Sequence, residues 1–335
     1  ELLDRLLSFN LGLFTVRNLR VLKLSAPEAE ELVAFGEAEW PQLTDLHLGQ
    51  RQALHWSIRR ASGWDDESQP RLPATALAKL PALARLHVEF TSHEPGRVWT
   101  LPHATHVVFV DGHENQLQEI ARAPHLRSLR GRVVAQSVAA LSTLTELDLA
   151  NALTDQQARA IAAGCPLLQT LSLRLIANHA TLLGHLLSTL SQLRVLALEA
   201  LCTERNTEAF SAPQSELELT LRNPHADPCE MLHNIAFPHL RRFAFRMHAE
   251  QSHGNCSFIR PRAMPELQSL ECQASQYLPL SDSGHDGTID DAKRGNEPRF
   301  KLHQLTLQPQ DGFQPEHLRA LLAHCESVAA VELQS

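Results

Sequence analysis

The chain has 335 residues, enough for one large domain or two ordinary ones, and its 43% apolar and 20% charged residues are typical of a globular protein. Aromatic residues contribute only 5%, so the core has to be built mainly from leucine, a bias that indicates internal repetition. The net charge of -8 gives no overall attraction for phosphate backbones and argues against nucleic-acid binding. No apolar stretch approaches the roughly 20 residues of a membrane-spanning helix, so no membrane association is predicted.

The first predicted element is a capping helix within residues 1–15. The opening sequence "ELLDRLLSFN" carries charges inside its apolar run and has no basic segment before it, which differs from a signal peptide. The six cysteines of the chain are irregularly spaced and include no CxxC pair, which favours thiols in a reducing compartment. The sequence therefore predicts an intracellular protein, either cytoplasmic or nuclear.

A short motif then recurs along the chain, with apolar residues at offsets 0, 3, 6 and 8 from its first residue. Alternate residues of a strand point to opposite faces, so offsets 6 and 8 predict a strand whose two leucines face a core. Most intervals between copies are 18 to 27 residues. The motif is clear in the copies that start at Trp40, Leu80, Leu141, Cys165, Leu190, Phe237 and Met264, looser in those at Val16, Leu101, Ala123 and Cys325, and degenerate near Pro213 and Arg299.

The segments between the predicted strands have helical spacing and helix start signals. Thr154 and Gln157 have the spacing of a capping box, and the helix that they open is predicted to close at Gly164. Helical patterns also occur in "SAPEAEELVAFG", "DPCEMLHNIA" and "PEHLRALLAH". Each repeat is therefore predicted to be a strand followed by a helix or helical turn, which buries its apolar side only by stacking on neighbouring repeats.

These patterns resemble a leucine-rich-repeat solenoid over nearly the whole chain. The resemblance implies an α/β horseshoe of about 12–13 irregular repeats, with parallel strands on the concave face and helices on the convex face. The segment from Leu144 to Leu173, with its "LTD" helix start and "GCPLLQTLSL" ending, is similar to the cysteine-containing repeats of F-box/leucine-rich-repeat proteins. Asn151 and Ala152 differ from that subfamily, which often has Gly-Cys at these positions.

Residues 1–335 are predicted to form a single leucine-rich-repeat domain with two inserted loops, residues 62–73 and 281–298. The second loop is acidic, but the spacing of its aspartates differs from that of a calcium-binding loop, so a solvated insertion is predicted. Insertions of this kind sometimes contribute binding contacts in solenoids.

Cys165 is the first candidate for chemistry. A reactive cysteine needs a stabilised thiolate, whereas Cys165 follows the C-terminal end of the predicted helix, where the helix dipole has the wrong sign. Large apolar residues such as Trp40 and Phe237 occupy the same motif position in other copies. We therefore predict a buried packing role for Cys165 rather than a catalytic one.

Histidines supply the candidate metal ligands, but their spacing supports no metal site. His248, His253 and Cys256 include zinc-type ligands without the spacing of a zinc knuckle, so a polar loop is predicted. His103 and His106 lack the glutamate and the helix of a zincin. The sequence also has no P-loop, GxSxG or GxGxxG signature. It predicts a non-enzymatic protein without a cofactor or bound metal.

The polar side chains that alternate with the inward leucines are predicted to form a partner-binding surface on the concave face. Arginine is prominent among them, and its planar guanidinium group forms bidentate pairs with carboxylates. The residues predicted to bind the partner are Arg85, His87, Arg130, Arg132, Glu146, Asp148, Thr170, Ser172, Arg174, Arg222, Arg242 and Arg246.

The predicted function is protein–protein interaction with a macromolecular partner through the concave face, either alone or as a subunit of a larger complex. The cysteine-containing repeat implies a narrower alternative, the substrate-recognition part of an F-box type ubiquitin ligase. A small-GTPase regulator or an effector-type repeat protein remains a further alternative, because leucine-rich-repeat solenoids also serve these functions.

Overall fold

The structure is a computed structural model of the chain. It describes residues 18–25, 40–49, 77, 79–88, 101–109, 123–131, 138–175, 181–199, 208–222, 232, 234–248, 261–273, 299–308, 322 and 325–333. The chain divides into two compact units, Glu1–Asn151 and Ala152–Ser335, called here the N-terminal and C-terminal units. The predicted capping helix and both inserted loops lie outside the described residues.

The N-terminal unit contains parallel strands that pair with their neighbours in chain order. Its strands are β1 Val21–Ser25, β2 Asp45–Gly49, β3 Arg85–Val88, β4 His106–Phe109, β5 Ser128–Gly131 and β6 Glu146–Leu153, the last of which crosses into the C-terminal unit.

The C-terminal unit continues with parallel strands of the same kind. Its strands are β7 Thr170–Leu175, β8 Val195–Glu199, β9 Phe210–Ser211, β10 Glu216–Arg222, β11 Ile235–Ala236, β12 Arg242–His248, β13 Ser269–Gln273, β14 Phe300–Gln308 and β15 Cys325–Leu333. The long strands follow the order β7-β8-β10-β12-β13-β14-β15, while β9 and β11 form a separate short parallel pair.

Two helices of more than one turn are described, α1 at Asp155–Gly164 and α2 at Thr181–Thr189. The predicted capping box is confirmed, because Thr154 Oγ1 accepts the Gln157 N–H while the Thr154 N–H donates to Gln157 Oε1 at 2.9 Å. Helix α1 ends at Gly164, as its sequence predicts. The helices predicted in "SAPEAEELVAFG" and "PEHLRALLAH" lie outside the described residues except for single positions, so a helix in every repeat stays a prediction. In "DPCEMLHNIA" the helical prediction is wrong at the end of the segment, because Ile235–Ala236 is the short strand β11.

The four apolar positions of the motif are the buried positions of the structure. In the copy that starts at Cys165, the side chains of Cys165, Leu168 and Leu171 are 0% exposed, and Leu173 is 2% exposed. The N–H at offset 3 donates to the carbonyl at offset 0, as in Leu168 to Cys165 at 3.3 Å, which closes a turn before the strand. Equivalent turns precede β2, β3, β4, β5, β6, β8, β12 and β13.

At the start of most described long strands, one carbonyl of the preceding repeat accepts two N–H groups of the next repeat. The Thr44 carbonyl, for example, accepts the N–H groups of both Ala84 and Arg85, at 2.8 and 2.9 Å. Most motif copies therefore repeat the same turn, the same hydrogen bonds to the preceding copy and the same inward apolar positions. Within each unit, the described long strands thus form a parallel-strand solenoid of the leucine-rich-repeat type.

One repeat departs from this register. Gln214 is 2% exposed and lies three residues before buried Leu217, so it fills the position that leucine has at offset 3, two residues earlier than the frame from Pro213 places it. The buried residue before Gln214 is Ala212, whereas Ser211, at offset 0 of the corrected frame, is exposed. The Gln214 Nε2 donates to the carbonyls of Leu187 and Leu190, at 2.7 Å each, and so satisfies carbonyls at the end of α2. Relative to β12, strand β10 follows the frame that has Gln214 at offset 3, because Leu217 is the register partner of Phe243. Relative to β8 it is shifted by two residues from that frame, because Leu219 rather than Leu217 is the partner of Leu196.

Candidate functional site

The candidate site is the strand surface opposite the buried leucines, called here the open face. In each unit it is formed by the strand side chains that alternate with the inward positions. In the burial pattern of β3, for example, exposed Arg85 and half-buried His87 alternate with buried Leu86 and Val88. The alternation that the sequence predicts is therefore present in this strand.

The arginines on the open face of the N-terminal unit are paired with carboxylates of the neighbouring strand. Arg85 Nη1 lies 3.3 Å from Asp45 Oδ1, and Arg130 Nε lies 3.1 Å from Asp148 Oδ2. Each pair joins residues that face each other in the strand register. All four groups are partly exposed, so each pair contributes only roughly 0.2–1 kcal/mol to stability. Their main effect is to hold the charged groups in defined positions.

Histidines occupy the neighbouring positions of the same face. The rings of His47 and His87 have centroids 4.2 Å apart and are tilted by 34°, and the two residues are partners in the register of β2 and β3. On β4, His106 Nδ1 lies 2.8 Å from Thr105 Oγ1. Glu146 is exposed on β6. The open face of this unit therefore combines charge pairs with imidazole rings.

The C-terminal unit begins its open face with small polar side chains. Thr170 and Ser172 are half-buried on β7, and exposed Arg174 follows them, with its Nε 3.3 Å from Glu199 Oε1 on β8. Arg222 on β10 is exposed at the register position of Glu199. The carboxylate of Glu199 therefore lies between two arginine positions.

A three-residue ionic cluster lies further along this unit. Arg246 Nη1 is 3.0 Å from Glu218 Oε1, and Arg246 Nη2 donates to Glu271 Oε1 at 3.1 Å. The side chain of Arg246 is 37% exposed, while its Nε is buried and donates no hydrogen bond to a described residue. Two carboxylates on β10 and β13 thus fix one guanidinium group on β12 in place.

Arg242 has a different environment from Arg246. It is exposed at the start of β12, and its register partners are Glu216 on β10 and Ser269 on β13. Among the twelve residues that the sequence predicts for partner binding, Arg132 lies outside the described residues. The other eleven lie on the open faces, and nothing in the structure tests whether they bind a partner.

The carboxylate partners were not identified from the sequence as members of ion pairs. Two of the ion pairs can be found by aligning the motif copies. Asp45 and Arg85 occupy the same offset in their copies, and Arg130 and Asp148 share another offset. The Glu218–Arg246–Glu271 cluster gives no such signal. The frame starting at Pro213 places Glu218 beside Arg242, whereas the structure pairs it with Ala244.

Perturbed titratable groups give no indication of nucleophilic catalysis. Burial raises the pKa of the Cys165 thiol to about 12 and that of the Cys325 thiol to about 11, which disfavours the reactive thiolate. Burial, with a smaller effect of Arg159, lowers the pKa of His185 on α2. Cys165 is therefore a packing residue, as its sequence position predicts.

The described residues contain no group of three or more His, Cys, Asp or Glu side chains placed to hold a metal ion. In the same part of the chain, no helix is long and apolar enough to cross a membrane.

Comparisons with known proteins give a structural likeness only. Neither a family model nor a curated protein matches the chain. Among solved structures, the chain is similar to an internalin (inlF) from Listeria monocytogenes, with 11% sequence identity, a TM-score of 0.36 and coverage of 93% of this chain and 87% of that chain. The fold assignment accordingly rests on the strand register and buried motif positions of this chain.

Proposed function

We propose that this protein is a non-enzymatic interaction module that binds a protein partner through its open strand faces. The observation that carries this proposal is the ordered row of polar side chains on paired parallel strands. Cross-strand ion pairs such as Arg85–Asp45 and Arg174–Glu199 hold long side chains in place before a partner arrives. A surface that is ordered in advance loses less conformational entropy on binding.

The ion pairs also indicate which residues of the open face are suited to contact a protein partner. Arginines that already contact a carboxylate bring little net positive charge to the surface, so the face as a whole does not favour an acidic partner. Arg242 and Arg222 are exposed, while Thr170 and Ser172 are small, half-buried side chains over which a partner can approach β7 closely. We propose that these residues make the discriminating contacts.

Charge reversal at Arg242 tests the proposal. Full-length protein carrying Arg242→Glu should bind the native partner at least about tenfold more weakly than the unmodified protein. The substitution replaces a favourable guanidinium contact with a carboxylate that repels the same partner group. The partner is first captured from cells with the unmodified chain, identified by mass spectrometry and purified. Its affinity is then measured by isothermal titration calorimetry, and thermal unfolding of each variant is followed by circular dichroism.

The matched control is Arg262→Glu, which reverses an exposed arginine in the turn before β13 rather than on the open face. It should leave both affinity and thermal stability nearly unchanged. Equal loss of affinity in the two variants would mean that overall charge, not the open face, governs binding. Arg246→Glu is unsuitable as a probe, because it would place three carboxylates together and destabilise the fold.

A narrower proposal is that the chain is the substrate-recognition part of an F-box type ubiquitin ligase. It is supported by the sequence of the repeat from Leu144 to Leu173, in which the "LTD" segment contains the N-cap of α1 and Cys165 is buried. Co-purification of cullin and adaptor subunits with the native full-length protein is the expected result. A stable stoichiometric assembly that lacks these subunits would contradict the ligase proposal and leave the interaction proposal standing.

A further inference from the structure

One row of charged side chains across β7, β8 and β10 carries more positive than negative charge. In the strand register Arg174, Glu199 and Arg222 occupy successive positions of this row. Its one carboxylate lies 3.3 Å from Arg174 Nε, whereas Arg222 forms no ion pair with a described residue. On its other side the register partner of Arg222 is His248 rather than a carboxylate. Arg222 is therefore an exposed guanidinium group with which no described carboxylate is paired.

Small side chains line the open face next to this row. The register positions two residues before the charged row hold Ser172, Ala197 and Thr220. Thr220 is only 8% exposed, and its hydroxyl forms no hydrogen bond with a described residue. A nearly buried hydroxyl gains free energy from a hydrogen bond that it otherwise lacks. The small side chains leave room for a partner residue to reach both this hydroxyl and the guanidinium group of Arg222.

The neighbouring carboxylates limit how much negative charge a partner can bring to this surface. Glu218 lies on the same strand and face as Arg222, four residues before it. Glu218 and Glu271 share the single guanidinium group of Arg246, so one negative charge of this cluster is not balanced. A run of acidic residues along β10 would meet this charge, whereas a single carboxylate at Arg222 avoids the repulsion.

We propose that Arg222 and the small side chains beside it bind one aspartate or glutamate side chain of the protein partner, flanked by uncharged residues. This inference rests on the proposed function and specifies the chemistry of its contact. The partner carboxylate accepts two hydrogen bonds from the Arg222 guanidinium group, so the charges along Arg174, Glu199, Arg222 and the partner alternate. The Thr220 hydroxyl donates to an oxygen of the same partner residue.

A phage-displayed library of short, disulfide-closed random loops serves as the probe. Loops are selected on the full chain in two parallel experiments, one after depletion on Arg222→Glu and the other after depletion on Arg262→Glu, which has the same net charge. Depletion on Arg222→Glu should leave a set of loops enriched in sequences with one acidic residue. These loops, synthesised with a fluorescent label, should bind the unmodified chain at least about tenfold more tightly than Arg222→Glu in fluorescence anisotropy.

Replacement of the acidic loop residue by lysine should reverse this preference, so that the loop binds Arg222→Glu more tightly than the unmodified chain. Thr220→Val removes the hydroxyl with little change in shape and should weaken binding of the acidic loop by about two- to tenfold. Glu199→Gln removes the nearby negative charge and should strengthen it by about two- to fivefold. Arg262→Glu should have no effect, and circular dichroism confirms that each variant is folded.

Three outcomes would overturn the inference. These are an equal acid content of the loops after the two depletions, enrichment of loops with several adjacent acidic residues, and failure of the lysine replacement to transfer binding to folded Arg222→Glu. The proposed function still stands in these cases if Arg242→Glu weakens binding of the native partner. Unchanged affinity for that partner in both Arg222→Glu and Arg242→Glu would instead overturn the proposed function.

Discussion

At the level of single residues, the motif positions constrain burial more than chemical identity. The first position is filled by Trp40, Cys165 and Phe237 in different copies, and all three are almost fully buried. A thiol at this position needs no catalytic explanation, since cysteine packs as a small apolar side chain. The inward strand positions vary in the same way, with Phe243 and Cys272 where other copies have leucine, and these side chains are also almost fully buried.

Leu171→Ala should lower the free energy of unfolding by about 2–5 kcal/mol, because removal of a fully buried leucine leaves a cavity. Urea unfolding followed by circular dichroism measures this change. The adjacent substitution Ser172→Ala is the control, since Ser172 is half-buried on the open face, and it should change stability by less than about 0.5 kcal/mol. A small effect of Leu171→Ala would contradict the inward assignment of this residue.

The sequence was sufficient to assign inward positions because burial follows the motif spacing. It was insufficient for Gln214, since a polar side chain at a leucine position has no apolar signal to mark it. Its burial depends on the two carbonyl groups of Leu187 and Leu190 that its amide reaches. The Glu218–Arg246–Glu271 cluster was missed for a related reason. Its geometry depends on the register of β10 relative to β12, which the frame starting at Pro213 misplaces by two residues.

At the level of elements, a helix with local sequence signals at its ends could be predicted, whereas elements stabilised by tertiary contacts could not. Helix α1 was predictable because Thr154 and Gln157 satisfy its first N–H groups within a few residues of sequence. Helix α2 has no acidic residue in its first turn, and five of its nine residues are buried. Its stability therefore depends on packing rather than on end signals. The two-residue strands β9 and β11 are too short to give a period in the sequence.

Gly184 on α2 has a packing role that outweighs helix propensity. A Cβ atom at this position would overlap the ring of Phe210, which packs against the helix from the segment of β9. Although alanine favours helix by about 1 kcal/mol over glycine, Gly184→Ala should destabilise the protein by about 1–3 kcal/mol. Urea unfolding of the single variants and of Gly184→Ala with Phe210→Ala forms a double-mutant cycle.

In that cycle, the effect of Gly184→Ala should disappear or become stabilising when Phe210 is also replaced by alanine, because the overlapping ring is gone. Thr189→Ala, at an exposed position of the same helix, is the control for helix propensity alone. An equal effect of Gly184→Ala in both backgrounds would show that the contact with Phe210 does not determine the need for glycine.

At the level of the whole molecule, the repeat spacing predicts more than any single segment does. Parallel neighbours need a connection of a dozen or more residues that brings the chain back to the starting end of the strand. Intervals of 18 to 27 residues between motif copies leave room for such a connection, which favours parallel pairing in chain order. The strand order in each unit has this form. The register of the repeat at β10 was not predictable from spacing alone. It is set by how Gln214 and β10 meet their neighbours, contacts between segments about twenty residues apart.

The same arrangement predicts an unequal distribution of stability within the C-terminal unit. In a solenoid each repeat is stabilised mainly by its immediate neighbours, so a strand covered on both sides opens less often than a strand covered on one. Strand β10 lies between β8 and β12, whereas β15 pairs with β14 alone among the described strands. Native-state hydrogen exchange read by mass spectrometry should therefore show faster exchange in Cys325–Leu333 than in Glu216–Arg222.

Uniform exchange across Cys325–Leu333 and Glu216–Arg222 would contradict this expectation. It would mean that the C-terminal unit opens as one cooperative body, in which case the pairing of β15 with a single described strand does not weaken it locally.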